Sequence, residues 1–327
     1  MQTALGPGHP VAGMLKKIKA RVPHGVAATG LFALEMMKKR VLKWIVAAAV
    51  VAALLLLLYC RAFIREPAMV TVSRRTLELD RWHDSLNSFK IAVLADLHQP
   101  NSEPELERTR RIVEITNREE PDLIVLPGDF IGERYDWKGR NAAPAAIAEL
   151  LRPLRAKYGV YAVLGNHDHW YDGAAVSLAL KNVGIQVLEN ETAKLELDGR
   201  TVNLIGLPDR MTRHQMLRLD HLPPVDQPAI VLSHSPDYFE ELKLPYELMI
   251  SGHYHGGQIR LPGIGALVIP SPYGRKYEGK FYQQDGRKLL ISYGLGTSII
   301  RARLCCPPEI VILTLRQNHK HVEEAKK

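Results

Sequence analysis

Two kinds of apolar pattern run along this chain. The first is one unbroken run at residues 44–60, WIVAAAVVAALLLLLYC, with no charge in it. As a helix rising about 1.5 Å per residue it would span about 25 Å, a little short of a hydrocarbon core of about 30 Å. Val41 and Leu42 lengthen it, and Lys43 can snorkel to the interface. Trp44 and Tyr59 stand where an aromatic belt is expected. The run predicts a transmembrane anchor over 41–60. A cleaved signal peptide and a buried core helix are the alternatives. The first is disfavoured by the late start of the run and by the lack of a small-x-small cleavage site after it.

The second pattern begins near residue 88. Short β-branched runs at 91–95, 122–127 and 159–164 alternate with helical stretches at 105–120, 144–157 and 173–182. From 185 the texture turns strand-rich, with runs at 185–188, 194–197, 202–207, 229–233, 247–251, 289–292 and 310–315. Alternating elements of this kind predict an α/β domain around a largely buried sheet. The expected organisation is a basic, weakly amphipathic arm at 1–40, the anchor at 41–60, a linker with a first strand at 61–87, one catalytic domain at 88–316 and a polar tail at 317–327. Residues 8–36 can lie along a membrane face as a helix or form a loose tail. His319 and His321, in the tail, read as solvent residues.

Composition changes this picture little. Hydrophobic residues at 46% and charged residues at 24% are ordinary for a globular chain. The net charge of +8 changes more, because part of the excess sits in the arm, at Lys16, Lys17, Lys19, Arg21, Lys38, Lys39, Arg40 and Lys43. A basic arm beside an apolar run suits an anionic membrane surface. No helix-turn-helix, zinc-finger or RNA-binding pattern accompanies the charge, so no specific nucleic acid is expected as a partner. No obligate protein partner can be read either. Positive charges close to the run are level on its two sides, and the further basic residues before it tip the expectation to a cytoplasmic N-terminus and an external catalytic domain. The cysteines, Cys60, Cys305 and Cys306, are too few and too oddly spaced for a disulfide scaffold or a zinc finger.

The candidate chemistry lies at the ends of the strands. Asp96 and His98 follow IAVLA, and Gly128-Asp129 follows LIVLP. Gly165-Asn166-His167-Asp168 follows YAVL, His234 follows IVLS, and Gly252-His253-Tyr254-His255 follows LMIS. The C-terminal ends of strands are where α/β sheets place their sites. Side chains two apart on extended backbone point the same way, so Asp96 with His98, and His253 with His255, can act as pairs. Carboxylates and neutral imidazoles suit Mn, Fe or Zn. A carboxylate bridging two ions about 3.5–4 Å apart sets up in-line attack of water on a phosphate. Each piece alone is bland, since an Asp after a strand commonly caps a turn and a lone His is commonly structural. The five-part order is what points to a metal centre.

That order, DxH, GD, GNH with an acidic residue, a lone His and GHxH over residues 96–255, resembles the signature of the calcineurin-like metallophosphoesterase superfamily. The sheet pattern extends the resemblance to 88–316. It implies an α/β fold, a four-layer α/β/β/α sandwich, here with an N-terminal transmembrane helix. It implies two divalent metal ions, Mn, Fe or Zn. One would be held by Asp96, His98, Asp129 and His255, the other by Asp129, Asn166, His234 and His253. A metal-bridging hydroxide would be the nucleophile, His167 would act beside the scissile phosphate, and Asp168 would orient His167. Tyr254 departs from the small residue usual in the family and is expected to pack away from the ligands. His169, Trp170 and Tyr171 either touch substrate or cap the following helix.

The stretches SPYGRKY at 271–277 and GLGTS at 294–298 resemble a membrane-associated subgroup that includes YkuE- and YaeI-like phosphodiesterases and LpxG-like UDP-diacylglucosamine pyrophosphatases. The resemblance implies hydrolysis of a phosphodiester or pyrophosphate on a membrane lipid or lipid-linked phosphate. UDP-2,3-diacylglucosamine pyrophosphatase is the sharper alternative and a catalytically inactive, membrane-anchored binding protein the lower one. Tyr273, Arg275, Lys276 and Arg210 are candidate substrate contacts, with Arg213 and His214 beside them at the rim. Ile299, Ile300 and Leu304 can meet an acyl chain or pack in the core.

Overall fold

A computed structural model describes residues 24–132, 139–218 and 227–318. The first part of the arm and the tail from His319 lie outside these residues, so the readings made for 8–23 and for His319 and His321 find no counterpart here.

The chain forms two compact units, 1–59 and 60–327. The first is built on helix α1 (His24–Cys60), longer at its start than the expected anchor. Lys38, Lys39, Arg40 and Lys43 do not end it, because lysine and arginine are good helix formers. Within Phe32–Arg65 lies the one stretch, among the described residues, that is long and apolar enough to cross a membrane.

The second unit is an α/β sandwich of two six-stranded sheets. The first sheet contains β1 (Thr71–Leu79), β2 (Phe89–Val93), β3 (Leu123–Leu126), β4 (Val160–Ala162) and β5 (Gln186–Val187), with β14 (Glu309–Gln317) inserted between β1 and β2. Parallel β2, β3 and β4 are joined through α2 (Glu103–Arg118) and α3 (Pro144–Leu151), and α4 (Asn166–Asn182) leads to β5. The second sheet contains β6 (Glu191–Leu197), β7 (Arg200–Gly206), β8 (Ala229–Leu232) and β9 (Leu248–Ser251). It is completed by the hairpin β12 (Phe281–Gln284) and β13 (Arg287–Ile291). A small hairpin, β10 (Arg260–Leu261) with β11 (Gly265–Ala266), stands apart.

The strand period of two decides the layers. In β3, Leu123 and Val125 face the second sheet, while Ile124 and Leu126 face the helices. In β9, Leu248 and Ile250 join the layer between the sheets and Met249 turns outward. Three apolar layers result. One lies between helices and first sheet, one between the sheets, and one beneath the outer cover of the second sheet. That outer cover is thin, a four-residue helix α5 (Tyr238–Glu241) whose Phe239 is clustered with Tyr246, Tyr254 and Tyr277. Each buried Leu or Ile contributes about 1.5–3 kcal/mol, so these layers hold the loop ends rigidly.

Strand boundaries predicted from sequence agree with those observed to within a few residues. The short strands β10 to β12 carry too little alternation to be seen in advance. Helix α4 begins at Asn166, well before the predicted 173, because Gly165 and Asp168 cap it ahead of any apolar periodicity.

Candidate metal centre

Five strands deliver the site. Asp96 and His98 follow β2, Asp129 follows β3, and Asn166 and His167 open α4 after β4. His234 follows β8, and His253 and His255 follow β9. All but His167 are buried. Asp96, His98, Asp129, His253 and His255 all sit at positive φ, between 43° and 73°. Non-glycine residues adopt that region rarely and at a cost of order 1–3 kcal/mol each. Here the strained turns swing successive ligand side chains inward. The glycines beside them are there for close approach: a Cβ on Gly165 would meet Asp129 Oδ1 at 2.2 Å, and one on Gly252 would meet Asp96 Oδ2 at 2.7 Å.

Three groups of His and Asp atoms converge tightly enough to hold metal ions: Asp96, His98 and His255; His98, Asp129 and His167; and Asp129, His234 and His253. Asp129 belongs to two of them. Its Oδ2 lies 3.5 Å from His98 Nε2 and 3.3 Å from His234 Nε2. His98 Nε2 faces His255 Nε2 at 3.0 Å, and His234 Nε2 faces both His253 Nδ1 at 3.0 Å and Asn166 Oδ1 at 3.1 Å. His98 and His234 donate their Nδ1–H to the carbonyls of Ile131, at 3.1 Å, and Pro127, at 2.8 Å. Those bonds engage Nδ1 and leave Nε2 of each ring turned to the centre, the nitrogen that a metal ion would take in place of any proton there. Lone pairs and carboxylate oxygens that face one another in a buried space fit divalent cations shared between them.

The electrostatics agree. Burial pushes His98 and His253 down to about 3 and His255 well below its ordinary value, so these imidazoles stay neutral. Burial pushes Asp96 up to about 7. Burial alone would lower His234, but the charge and hydrogen bond of Asp129 and the charge of Asp96 outweigh it and raise it to about 10. Burial alone would raise Asp129; the imidazoles of His234, His167 and His98 pull it well below the usual carboxylate range.

Two expectations need correction. Asp168 does not orient His167. Its buried carboxylate accepts the backbone N–H groups of Asp129 (2.9 Å), Phe130 (2.8 Å), Ile131 (3.0 Å) and Gly165 (2.9 Å). It therefore shapes the Asp129 loop. His167 has an unpartnered buried Nδ1, its Nε2 lies 3.4 Å from Ser298 Oγ, and its ring leans on Trp170 at 5.0 Å.

The second correction concerns the substrate contacts. The centre opens into a cavity of about 640 Å³ whose lining includes Asp129, Asn166, His167, His253 and His255. The rest of the lining is mostly apolar, with Trp170, Met211, Leu267, Val268, Ile299 and Ile300. Tyr273, Arg275, Lys276 and Arg210 are not among its lining residues. Arg275 is paired with Glu278, Lys276 with Glu240, and Arg210 with Glu241 and Asp237, while Tyr273 packs edge-on against Tyr277. Arginines and lysines with acidic partners this close serve to pin the loop. Nor is Leu304 in the lining; it is nearly buried. His169 turns away to Glu189, at 2.9 Å, and stacks on His214. Tyr254 is buried, with its hydroxyl on Asp237.

The model of the calcineurin-like phosphoesterase family matches residues 89–257. The metallophosphoesterase YkuE of Bacillus subtilis is 32% identical over 263 residues, covering 78% of this chain and 88% of that protein. The phosphodiesterase YaeI of Escherichia coli is 30% identical over 257 residues, covering 76% and 90%. The UDP-2,3-diacylglucosamine pyrophosphatase LpxG of Chlamydia trachomatis is 26% identical over 313 residues, covering 76% and 90%.

Proposed function

The chain belongs to the calcineurin-like phosphoesterase family and is a metal-dependent hydrolase of phosphoester or pyrophosphate bonds; from that premise we propose that its substrate is a phosphodiester or pyrophosphate carried on a lipid. The observation that supports this is the apolar cavity. A phosphate on a soluble metabolite would ask for cationic or hydrogen-bonding walls, whereas Leu267, Val268, Ile299 and Ile300 offer acyl-chain contacts next to a polar centre. A helix apolar enough to anchor the chain keeps such a substrate at high local concentration.

In this reading Asp96, His98, Asp129 and His255 hold one divalent ion, and Asp129, Asn166, His234 and His253 hold the other. Such ions, when bound, supply charge neutralisation to the phosphoryl oxygens and a nucleophilic water at neutral pH. His167 lines the cavity and in this reading would protonate the leaving oxygen. Asp168 fixes the loop that presents Asp129.

The similarity to LpxG favours a sharper second reading: cleavage of UDP-2,3-diacylglucosamine to UMP and lipid X. The anchored, single-pass arrangement in a bacterial cytoplasmic membrane belongs to the proposal; the basic residues that precede the apolar run favour an external domain, which suits the first reading and conflicts with the second, whose substrate is made on the cytoplasmic side. Purified full-length protein loaded with Mn²⁺ is assayed on UDP-diacylglucosamine, on a phosphodiester-headgroup phospholipid and on a soluble aryl phosphodiester. Lipid substrates turned over with kcat/KM at least about tenfold above the aryl ester support the reading. Preference for the soluble ester overturns it.

A further inference from the structure

Arg303 is completely buried, and among the described residues no carboxylate forms an ion pair with it. A guanidinium cannot shed its charge, and burying it without compensation costs several kcal/mol. The compensation here is a fan of carbonyls. Nε donates to Gly296 O at 3.0 Å, and Nη1 to Cys306 O at 2.9 Å. Nη2 reaches Tyr293 O at 2.8 Å, Gly294 O at 3.2 Å and Gly296 O at 2.6 Å, and it approaches His255 Nδ1 at 3.4 Å.

The fan grips a segment that lies directly on the metal centre. Leu295 N–H donates to Ala95 O at 2.9 Å and Gly296 N–H to Asp96 O at 2.6 Å. There is no slack between them: a Cβ on Gly294 would stand 2.7 Å from Asp96 Oδ2, and one on Gly296 would stand 2.3 Å from Leu97 O. On the far side Cys306, also held by Arg303, touches the carbonyl of His255 through its thiol at 3.2 Å. Arg303 thus clasps two backbone stretches, one against Asp96 and one against His255. None of its contacts goes to Asn166, His234 or His253.

We propose that Arg303 is a positioning residue for one metal position only, the one formed by Asp96, His98 and His255, and that it assembles this half of the centre before the ion arrives. An ammonium in its place keeps the charge but has one nitrogen where the fan needs three. Arg303→Lys is therefore expected to lose the positioning although the charge remains.

The test separates the two positions. In a His234→Ala background the Asp96, His98 and His255 position is left intact; in a His255→Ala background the other is. Mn²⁺ affinity of the full-length protein is read from the electron paramagnetic resonance signal of free Mn²⁺. Arg303→Lys should weaken binding by about 10–100-fold in the His234→Ala background and by less than about threefold in the His255→Ala background. If Arg303→Lys does not fold, Arg303→Gln, whose single amide nitrogen also cannot fill the fan, is measured the same way and should show the same loss confined to the His234→Ala background. An equal loss in both backgrounds, or no loss in either, removes the proposed role. Absence of Mn²⁺ binding by the parent protein would remove the metal reading on which the proposal rests, an outcome distinct from the first.

Discussion

The carboxylate of Asp168 accepts the backbone N–H of Asp129 at 2.9 Å, and Asp129 in turn accepts the backbone N–H of His167 at 2.9 Å. The two loops are laced together by main-chain donors, and the central carboxylate is aimed by a residue that touches neither the His167 ring nor the cavity. Asp168→Asn places an amide N–H against backbone donors. Each buried donor left unsatisfied costs about 1–3 kcal/mol, so metal affinity and melting temperature should fall together. If Asp168 served His167 alone, the variant would keep wild-type metal affinity and lose only kcat; calorimetric metal titration decides between these.

His167→Ala should do the reverse. His167 is only partly buried and lies beside the Asp129 and His98 donors. With the other donors in place, metal content measured by mass spectrometry should stay at the wild-type level. Losing a positioned proton donor should lower kcat by about 10²–10⁴-fold with little change in KM. A loss of metal in His167→Ala would make it a ligand instead.

The pH response follows from His234. Its folded pKa, about 10, lies above its ordinary value of 6.5. The stability it contributes is complete below about pH 6.5 and is lost as pH rises towards 10. Asp96, held at about 7 by burial, prefers its proton in the fold and adds to the same trend up to that pH. The metal-free protein should therefore melt lower at pH 9 than at pH 7. Divalent ions replace those protons, so the loaded protein should lack this drop, and loading at pH 7 should release about one to two protons per chain. Thermal melts with and without chelator, and calorimetry in two buffers of different ionisation heat, measure both. A metal-free melting temperature that climbs between pH 7 and 9 would contradict the assignment.

The cavity rim separates substrate classes. Ile299 is fully exposed and Val268 largely so, so Val268→Asp and Ile299→Asp should shift stability by no more than about 0.5 kcal/mol. Each should raise KM for a lipid-borne ester about tenfold while leaving hydrolysis of a soluble aryl ester unchanged. Equal effects on both substrates would take the rim out of lipid recognition.

Much of the centre was legible in the sequence because its ligand-type residues stand just past the ends of strong apolar strands: Asp96, Asp129, His234 and His253 each follow a run too apolar to be a loop. The work of Asp168 was not legible, since its partners are backbone N–H groups, which every residue has. Arg275, Lys276 and Arg210 misled for a related reason. The partners of Lys276 and Arg210, Glu240 and Glu241, come from another part of the chain, that of Arg275 is Glu278 three residues on, and an unpaired cation looks the same in sequence as a paired one. The rim residues Leu267 and Val268 lie in a loop without periodicity and gave no signal, whereas Ile299 and Ile300, named in advance as candidate acyl-chain contacts, do line the cavity. Arg303, within IIRARLCC, looks like a surface charge until the carbonyls around it are seen.

The insertion of β14 between β1 and β2 bears on how the protein is made. Strand β1 pairs with β14 along its whole length, and Thr71 bonds to Pro308, 237 positions later. On the ribosome, the apolar helix and β1 emerge long before β14, the strand that pairs with β1. The membrane-type segment is thus available for insertion while the catalytic unit is still open, and closing the first sheet is a late, long-range event in its folding. A translation product interrupted before β14 would carry the apolar helix without a closed first sheet, the state in which unpaired strand edges are most exposed to quality-control proteases.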